Sequence, residues 1–387
     1  MSIINSIQAI QIIDSRGTPT VSCKVTLDNG IYATSMVPSG ASTGSREALE
    51  LRDGASPYKG KGVNKAVANI HEIIAPALVG MDVTNQQEID ETMLALDGTS
   101  SKSKLGANAI LGVSLAVLDA GSKTLELPLY EHINQVFANI NGEKPRMQMP
   151  TPMLNIINGG EHADNNIDIQ EFMIMPIGAN NFSQAMQWAT EIYSDLKNIL
   201  NAKGLSTSVG DEGGFAPNLQ SNQEAIELII QAIRNNNLTE GKDVGIALDC
   251  AASEFYNNGI YNLQGESIKL NSSEFTNYLS ELTRQYPIFS IEDGMDESDF
   301  EGWKNLNKAL GDSCQLVGDD LFVTNVAELQ RGIDDSLANS ILWGRGISID
   351  YLTYYDKLLR IEFSINGLGE KGVFLHFSNP FGETNKR

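Results

Sequence analysis

The chain has few cysteines, no long hydrophobic run and no excess of basic residues. Its three cysteines, Cys23, Cys250 and Cys314, are odd in number and form no recognisable motif. This usage favours a reducing, intracellular setting over a disulfide framework. No apolar run reaches the roughly 18 residues of a membrane-spanning helix, and the first residues lack a basic segment followed by an apolar one. We therefore expect a soluble, cytoplasmic protein that does not enter membranes.

The formal net charge of −22, from 27 basic and 49 acidic residues, argues against two classes of partner. Nucleic acids and anionic membrane surfaces both bind to basic faces, so we expect neither here. An acidic protein can still bind a small anionic substrate where a metal ion reverses the local field. The length of 387 residues and the 41% hydrophobic content otherwise predict a globular protein with room for two domains.

The sequence pattern divides the chain into an N-terminal α+β domain, residues 1–135, and a second domain, residues 145–387. Apolar and polar residues alternate over the first part, and Asn29-Gly30 separates two alternating runs, which predicts an antiparallel meander. Helical periodicity then continues to the end of the first domain. Strands followed by helices indicate a separate unit, and several prolines between the two domains support a boundary there.

Three short apolar runs of the second domain end on acidic residues, at Asp249, Glu292 and Asp319. Such a run is typical of a buried parallel strand whose C-terminal end carries a charged group. Helix-like stretches separate the runs, and this alternation predicts an α/β parallel sheet, closed into a barrel. The carboxyl ends of barrel strands share one face. Three carboxylates in one pocket need a cation between them, so the sequence predicts bound Mg²⁺.

Several helices of the second domain are marked by the residues at their starts. The spacing Ser221-x-x-Glu224 is that of a capping box, and Asn325-x-x-Glu328 is related to it. Residues 182–200 also have the apolar spacing of a helix. These signals predict that helices follow the strands of the second domain.

Two polar, glycine-rich stretches of the second domain contain candidate catalytic residues. The first has a glycine pair followed by His162, Gln170 and Glu171. Glycine lets the backbone approach a ligand and these side chains offer donors and acceptors, although a lone histidine is more often structural. The second stretch places Glu212 among glycines at a strand end. There it could act in acid–base catalysis beside the three carboxylates, or it could belong to an acidic surface turn.

A third stretch, residues 38–47, consists mainly of glycine and small polar residues and includes Ser42. It lacks the Gly-Lys-Ser/Thr ending of a phosphate-binding P-loop, so that interpretation fails. A loop of small residues between a strand and a helix can close over a substrate as a lid. Taken alone, these residues favour a plain surface loop, and the lid is the alternative.

Seven segments of the chain resemble the motifs of the enolases, the glycolytic phosphopyruvate hydratases. They are Asp14-Ser15-Arg16-Gly17, Ser39-Gly40-Ala41-Ser42-Thr43-Gly44, Gly160-Glu161-His162-Ala163-Asp164, Gln170-Glu171-Phe172, Gly210-Asp211-Glu212-Gly213-Gly214, Ser290-Ile291-Glu292-Asp293-Gly294 and Gly318-Asp319-Asp320-Leu321. The resemblance continues from residue 3 to about residue 342 almost without interruption. Chance agreement of so many ordered segments is negligible, so the chain is identified as a member of this family.

The resemblance implies a fold and a reaction. The implied fold is α/β, with an N-terminal α+β cap domain and an enolase-type β/α, TIM-like barrel. The implied reaction is the Mg²⁺-dependent interconversion of 2-phosphoglycerate and phosphoenolpyruvate, by a cytoplasmic lyase that forms homodimers or larger assemblies. Cell-surface or secreted roles are implied by the resemblance only. It is known for this superfamily that a Lys or His base works with one or two Mg²⁺ ions.

The metal ligands implied by the resemblance come from two parts of the chain. Asp249, Glu292 and Asp319 match the family's ligands for the structural Mg²⁺. Ser42 matches a residue at the second Mg²⁺. The three acids are the same residues that the strand pattern alone assigns to a metal site.

The resemblance also implies roles for residues that contact the substrate. Glu212 matches the acid that protonates the departing hydroxyl group. His162, Gln170 and Glu171 match residues of the substrate pocket. Removal of a proton next to a carboxylate requires cations close to the substrate, which agrees with these residues lying beside a metal site.

The resemblance is interrupted after residue 342, where the family has its general-base lysine at a strand end. Gly344 stands at the expected lysine position, and the guanidinium of the adjacent Arg345 is a poor base. The family's His-Arg-Ser-Gly-Glu-Thr and Lys-Thr-Gly segments, which hold the substrate's phosphate and carboxylate, do not occur. Family-like sequence resumes at residues 358–362, which indicates an internal loss near residues 343–350. We therefore expect a barrel that is incomplete at its C-terminal end and an activity that is severely reduced or absent.

Two other functions stay open beside the enolase reaction. The first is a non-catalytic enolase-like protein that binds a partner or acts at the cell surface, which the missing lysine favours and the retained acids disfavour. The second is another enolase-superfamily reaction with a different base. The near-continuous resemblance to the enolases themselves argues against the second.

Overall fold

The computed structural model describes residues 2–40, 44–54, 57–142, 144, 146–210, 212–341, 358–365 and 371–378. The chain divides into two compact units, formed mainly by Met1–Gly40 with Arg46–Met147 and by Gln148–Gly344. Gly44 and Ser45 belong to the second unit, although they lie within the sequence of the first. Among the helices of the described residues, none is long and apolar enough to span a membrane.

The first unit begins with a three-stranded antiparallel sheet, as the sequence predicts. Its strands, in the order β1-β2-β3, are β1 (Ile4–Ile13), β2 (Pro19–Leu27) and β3 (Tyr32–Val37). Gly30 has a φ of +85° in the turn after β2 and donates its N–H to the carbonyl of Leu27 at 3.1 Å, which confirms the hairpin. Val21, Cys23 and Val25 alternate along β2 on a fully buried face.

Among the described residues, five α-helices follow these strands, and the first four share the buried core with the sheet. They are α1 (Asn64–Asn69), α2 (Ala75–Leu78), α3 (Gln86–Asp97), α4 (Ala107–Thr124) and α5 (Leu129–Asn141). A π-helical turn, Ile70–Ile74, joins α1 to α2. An added Cβ at Gly112 of α4 would lie 3.4 Å from Val37 and 3.5 Å from Cys23, so this helix packs directly on the sheet. The predicted α+β unit is therefore confirmed.

Strands and helices alternate in the second unit. The strands are β4 (Leu154–Asn158), β5 (Glu171–Met175), β6 (Gly245–Asp249), β7 (Tyr256–Asn257), β8 (Ile260–Leu263), β9 (Ile268–Asn271), β10 (Ile288–Glu292), β11 (Gln315–Gly318), β12 (Ser340–Ile341), β13 (Leu358–Ile365) and β14 (Lys371–Ser378). The helices are α6 (Phe182–Ala202), α7 (Asn222–Asn235), α8 (Ser272–Gln285), α9 (Phe300–Leu310) and α10 (Val326–Asp335). The helix predicted at residues 182–200 is thus confirmed.

The main sheet of the second unit has the strand order β12-β11-β10-β6-β5-β4. Strands β6, β10, β11 and β12 are parallel, as predicted. Strand β5, however, is antiparallel to both β4 and β6, so the expectation that all strands point the same way is wrong there. No α-helix lies between β4 and β5. A short connection of this kind can join antiparallel neighbours, whereas parallel neighbours need a longer crossover.

Side-chain caps set the starts of several helices. Ser221 caps α7 as predicted, because its Oγ accepts the N–H of Glu224 at 3.1 Å. The reciprocal bond of a capping box is not made to Ser221, since Glu224 Oε2 accepts the N–H of Gln220 at 2.8 Å instead. Asn325 caps α10 as expected, and a full capping box occurs at Asn271, which begins α8.

One apolar core fills the space between the main sheet and the helices of the second unit. Its largest fully buried side chains include Trp303, Phe172 and Phe275. Every residue of β6 is buried, as expected for an inner strand of a barrel-type sheet. Within the described residues six strands are hydrogen-bonded in the main sheet, whereas a complete barrel of this type has eight. Strands β13 and β14 pair with each other as an antiparallel hairpin.

Candidate active site

Acidic residues from neighbouring strands line one edge of the main sheet. Glu171 is the first residue of β5, Asp249 the last of β6 and Glu292 the last of β10. In the register of the sheet, Glu171 and Glu292 both pair with Asp249, one on each side. Asp319 directly follows β11, whose Val317 pairs with Glu292. The three predicted metal ligands therefore lie at one edge of the sheet, where the ends of the parallel strands meet. Because β5 is reversed, Glu171 reaches this edge from the beginning of its strand.

Asp249 is buried and held by two hydrogen bonds. Its Oδ1 accepts the N–H of Ala251 at 3.0 Å, and its Oδ2 accepts Nε2 of Gln170 at 3.2 Å. Burial raises the pKa of Asp249 above its usual range, and the nearby carboxylates of Asp319 and Glu212 raise it further. An ionised carboxylate in these surroundings needs a cation to compensate its charge.

Asp293 lies within the same acidic edge, although sequence reasoning assigned it no role. Its buried carboxylate accepts the backbone N–H groups of Asp319 at 3.1 Å and of Asp320 at 3.0 Å. Burial is the main cause that raises the pKa of Asp293 well above its usual range. The neighbouring carboxylates raise it further, and that of Asp320 has the largest effect among them. The pair Glu292-Asp293 is visible in the sequence, but adjacent residues of an extended strand point to opposite faces. Only the turn of the chain at Asp293 shows that both side chains reach the site.

His162 and two glutamates form a second group at this edge. His162 is buried at the end of a short helical turn, Gly160–His162, which follows β4. Its Nδ1 lies 3.5 Å from Glu171 Oε1, and its Nε2 lies 3.9 Å from Glu212 Oε1. A carboxylate oxygen therefore lies within 3.9 Å of each nitrogen of the imidazole ring. Four residues predicted to act on the substrate thus lie close together, since Gln170 directly precedes Glu171.

Close backbone approach brings Glu212 to His162. An added Cβ at Gly210 would lie 2.5 Å from the carbonyl oxygen of His162 and 2.9 Å from Cβ of Asn158. An added Cβ at Gly214 would lie 2.6 Å from Oδ1 of Asn158. Larger residues do not fit at either position, so the glycines allow the segment that carries Glu212 to pack against the turn that carries His162.

Two buried amide side chains at the site have polar atoms without a partner. Among the described residues, neither the side-chain nitrogen nor the side-chain oxygen of Asn158 accepts or donates a hydrogen bond, and the same holds for Oε1 of Gln170. Both residues are buried. Unsatisfied buried polar atoms are rare in proteins, and a ligand, an ion or bound water accounts for them. These atoms therefore support a binding site at this end of the sheet.

Ser42, Gly344 and Arg345 lie outside the described residues, as does the predicted internal loss near residues 343–350. The nearest described residues after Ser42 are Gly44 and Ser45, which contact the loops that follow β10 and β11. Ser45 donates its N–H to Oε2 of Glu297 at 2.9 Å, and its hydroxyl binds the same carboxylate. The end of the Ser42 loop is thereby fixed to the second unit.

Among the described residues, two groups of possible metal ligands lie at the acidic edge, each with ligand atoms within 4.8 Å of one another. The groups are Asp249, Glu292 and Asp293, and His162, Glu171 and Glu212. The first group offers only carboxylate oxygens, the ligands that Mg²⁺ prefers. The donor set and the buried negative charge therefore fit Mg²⁺. Asp319 lies close enough to raise the pKa of Asp249, and its part as a ligand stays a prediction.

Two family models match the chain over most of its length. The model described as the enolase N-terminal domain matches residues 4–133, and the model described as the enolase C-terminal TIM barrel domain matches residues 146–354. The chain belongs to the enolase family. The predicted family and fold class are thus confirmed: an enolase N-terminal α+β domain is followed by an enolase barrel domain whose sheet carries the acidic edge.

The family assignment indicates an enolase-superfamily function for the acidic edge. Enolases typically use Mg²⁺, and the carboxylate group at Asp249, Glu292 and Asp293 could hold such an ion. The match to the barrel domain includes Gly344, and its place at the family's lysine position stays a prediction from the sequence.

Proposed function

We propose that this enolase-family chain is a hydro-lyase that binds Mg²⁺ and interconverts 2-phosphoglycerate and phosphoenolpyruvate at a severely reduced rate. The observation that carries the proposal is the convergence of carboxylates from β6, β10 and the end of β11 at one edge of the sheet. This edge lies next to the group formed by His162, Glu171 and Glu212. The reduced rate follows from Gly344 at the lysine position.

The proposed ligands of the structural metal ion are Asp249, Glu292 and Asp319, with Ser42 at a second ion. When bound, Mg²⁺ supplies the positive charge that favours removal of a proton next to a carboxylate. Burial raises the pKa of Asp249, and the neighbouring carboxylates add to this, which supports a cation beside it. The hydrogen bond from Gln170 to Asp249 orients this carboxylate, as partners of metal ligands usually do.

Glu212 is the proposed general acid, and His162, Gln170 and Glu171 are the proposed substrate-binding residues. Loss of water requires a proton on the departing hydroxyl oxygen, which Glu212 would donate from a carboxyl oxygen. The side chain of Glu212 is 30% exposed, so a substrate can reach it, whereas the His162 ring behind it is buried. Oε1 of Gln170 has no partner among the described residues and can accept a hydrogen bond from a substrate hydroxyl.

Loss of the general base lowers the expected rate by about 10²–10⁴-fold. The missing segments that hold phosphate and carboxylate in other enolases weaken substrate binding as well. The test is turnover of 2-phosphoglycerate by the pure chain with Mg²⁺, followed by the absorbance of phosphoenolpyruvate. We expect no more than about one hundredth of the rate of an enolase that has the lysine. A rate in the ordinary range for enolases would contradict the proposal.

A non-catalytic enolase-like binding or surface protein is the second candidate, favoured by Gly344. The two functions differ in their response to ligands that stabilise the folded state. Thermal unfolding is measured without ligand, with Mg²⁺, and with Mg²⁺ plus 2-phosphoglycerate. Added stabilisation by the substrate supports the enzyme, whereas stabilisation by Mg²⁺ alone supports the non-catalytic protein.

We also propose that the chain acts in the cytoplasm as a homodimer, as the family resemblance implies. Sedimentation velocity over a range of concentrations tests the assembly state. A single species with twice the mass of the 42.0 kDa chain is expected. A monomer at all concentrations would contradict the dimer without affecting the proposed reaction.

A further inference from the structure

Asp293 forms hydrogen bonds to the ends of the strands on both sides of β10. Its N–H donates to the carbonyl of Val317 in β11 at 2.9 Å, and its own carbonyl accepts the N–H of Ala252, beyond the end of β6, at 3.0 Å. Its carboxylate accepts the N–H groups of Asp319 at 3.1 Å and Asp320 at 3.0 Å. One residue therefore bonds to the backbone of both neighbours at the acidic edge.

The backbone of Asp293 adopts a conformation that permits these contacts. Its φ of +39° lies in the left-handed region, which non-glycine residues enter rarely and aspartate more readily than most. The turn bends the chain directly after Glu292, so that two successive side chains reach the same site instead of opposite faces. Such conformations persist only where the surroundings hold them, and they are common at functional sites.

The side chain of Asp293 is also placed at an unfavourable electrostatic position. It is buried beside the carboxylates of Asp249, Asp319 and Asp320, which repel its negative charge. A neutral amide in its place would avoid this repulsion but would offer one acceptor oxygen instead of two. A carboxylate has two oxygens, and here each accepts one backbone N–H group of the loop after β11. A side-chain amide has only one oxygen and could not accept both in this way.

We propose that Asp293 is a positioning residue that directs the carboxylate of Asp319 toward the metal site. It acts by holding the N–H groups of Asp319 and Asp320, which sets the direction of the backbone where β11 ends. Asp319 then projects toward Asp249 and Glu292. The inference rests on the proposed Mg²⁺ site, and it assigns to Asp293 a function that neither its position directly after β10 nor its charge alone would require.

Hydrogen exchange in the metal-free protein tests the contact itself. The Asp293→Gly variant removes the carboxylate and keeps a residue that adopts positive φ without strain, and Asp293→Asn keeps one acceptor oxygen. By NMR, we expect the amides of Asp319 and Asp320 to exchange roughly tenfold faster in the glycine variant and less so in the asparagine variant. The amide of Leu316, which binds the side chain of Asn339 at 2.7 Å, is the internal control and should not change. Unchanged exchange at both aspartates would overturn the proposal.

Mg²⁺ binding measured by calorimetry tests the consequence. Loss of a residue that orients a metal ligand typically weakens metal affinity about 10–100-fold. We expect a loss of this size for Asp293→Gly, and for Asp293→Asn a Kd between those of Asp293→Gly and the wild type. Asp320→Asn is the matched control, because it removes one charge from the same acidic edge but leaves the backbone N–H that Asp293 binds. Circular dichroism and metal-free melting confirm that each variant is folded.

The outcomes separate positioning from other roles. A weaker effect in Asp320→Asn than in Asp293→Gly supports positioning, whereas equal losses would show that charge alone matters and would overturn it. An Asp293→Asn variant as weak as Asp293→Gly would indicate a direct ligand and would also overturn it. If the wild type binds no Mg²⁺, the proposed function fails, and the exchange measurement still shows whether Asp293 holds the end of β11.

Discussion

At the residue scale, the site is built from carboxylates whose negative charges the surrounding protein compensates poorly. Asp249 and Asp293 are buried next to other acids, and burial is the first cause of the raised pKa of each. The sequence predicted Asp249 as a ligand because it ends an apolar run. It could not predict the contribution of Asp293, because this depends on a left-handed turn and on N–H groups that lie 26 and 27 positions further along the chain.

The first prediction concerns Asp249. The Asp249→Asn substitution should abolish most of the stabilisation by Mg²⁺ and leave the metal-free melting temperature unchanged or higher, because it removes a buried negative charge among acids. Gln170 can turn its unpartnered Oε1 toward the new amide, so the local hydrogen bond survives. At 100 times the wild-type Kd, Mg²⁺ should stabilise the wild type by about 2.7 kcal/mol and the variant far less.

Thermal or chemical unfolding with and without Mg²⁺ provides the measurement for Asp249→Asn. Asp312→Asn is the control, because it removes the same charge from an exposed turn before β11, at the opposite end of that strand. The control should keep the full response to Mg²⁺. A variant at Asp249 that keeps the response would show that this residue is not a ligand.

The second prediction concerns Asp90 on α3 and the pH dependence of stability. Burial raises the pKa of Asp90 to about 6, and the hydrogen bonds from Ser114 and Gln86 only partly oppose this. The unfolded chain has the ordinary pKa of about 3.9, so the folded state binds more protons between these values. This contribution to stability is fully present below about pH 4 and is lost as the pH rises through about 6.

Asp90→Asn should therefore stabilise the protein by about 1–3 kcal/mol at pH 7 and have little effect near pH 4. Denaturant unfolding at the two pH values, without metal, measures the difference. Glu91→Gln removes an exposed acid from the same helix and should change stability by no more than about 0.5 kcal/mol at either pH. An equal effect of Asp90→Asn at both pH values would contradict the prediction.

At the scale of elements, periodicity and capping signals predicted the helices better than the strand directions. Ser221 and Asn325 begin helices where the sequence placed them. A cap is a contact within four residues, so local sequence contains nearly all the information that it needs. The sequence contained no signal for the antiparallel direction of β5, because strand direction depends on the neighbours with which a strand pairs. This reversal places Glu171 beside Asp249.

The third prediction concerns the capping box of α8. Oδ1 of Asn271 accepts the N–H of Glu274 at 3.0 Å, and Glu274 Oε2 accepts the N–H of Asn271 at 2.9 Å. Asn271→Ala should lower the free energy of unfolding by about 0.5–2 kcal/mol, measured in denaturant. Asn277→Ala replaces an exposed asparagine within the same helix. It should be neutral or slightly stabilising, because alanine has a higher helix propensity than asparagine. Equal effects of the two substitutions would argue against a role of the cap.

At the scale of the whole molecule, membership of the enolase family is established, and a reduced activity is proposed. The chain matches both enolase domains, and the described part of its barrel sheet has six strands. The domain limits predicted from the sequence, residues 1–135 and 145–387, stay a prediction. The family's phosphate- and carboxylate-binding segments do not occur in the sequence, and Gly344 stands at the predicted lysine position, so the proposed reduction in activity has several expected causes.

The fourth prediction follows from that combined loss. Gly344→Lys alone should change turnover of 2-phosphoglycerate by less than about tenfold, because a restored base has no correctly held substrate to act on. Turnover with Mg²⁺ is the measurement, and Gly344→Ala is the control for any change of backbone at this position. A gain of about 10²–10⁴-fold would show instead that the lysine is the one critical missing part.

The sequence by itself identified the family, and it predicted the acids Asp249, Glu292 and Asp319 as metal ligands and Gly344 at the position of the family's lysine. These follow from residue types and short patterns, which local sequence contains in full. Only the tertiary structure decided the reversed direction of β5, the grouping of His162 between two glutamates and the hydrogen bonds of Asp293. These depend on register and on contacts between segments far apart in the chain, and local patterns do not specify which distant backbone groups will meet.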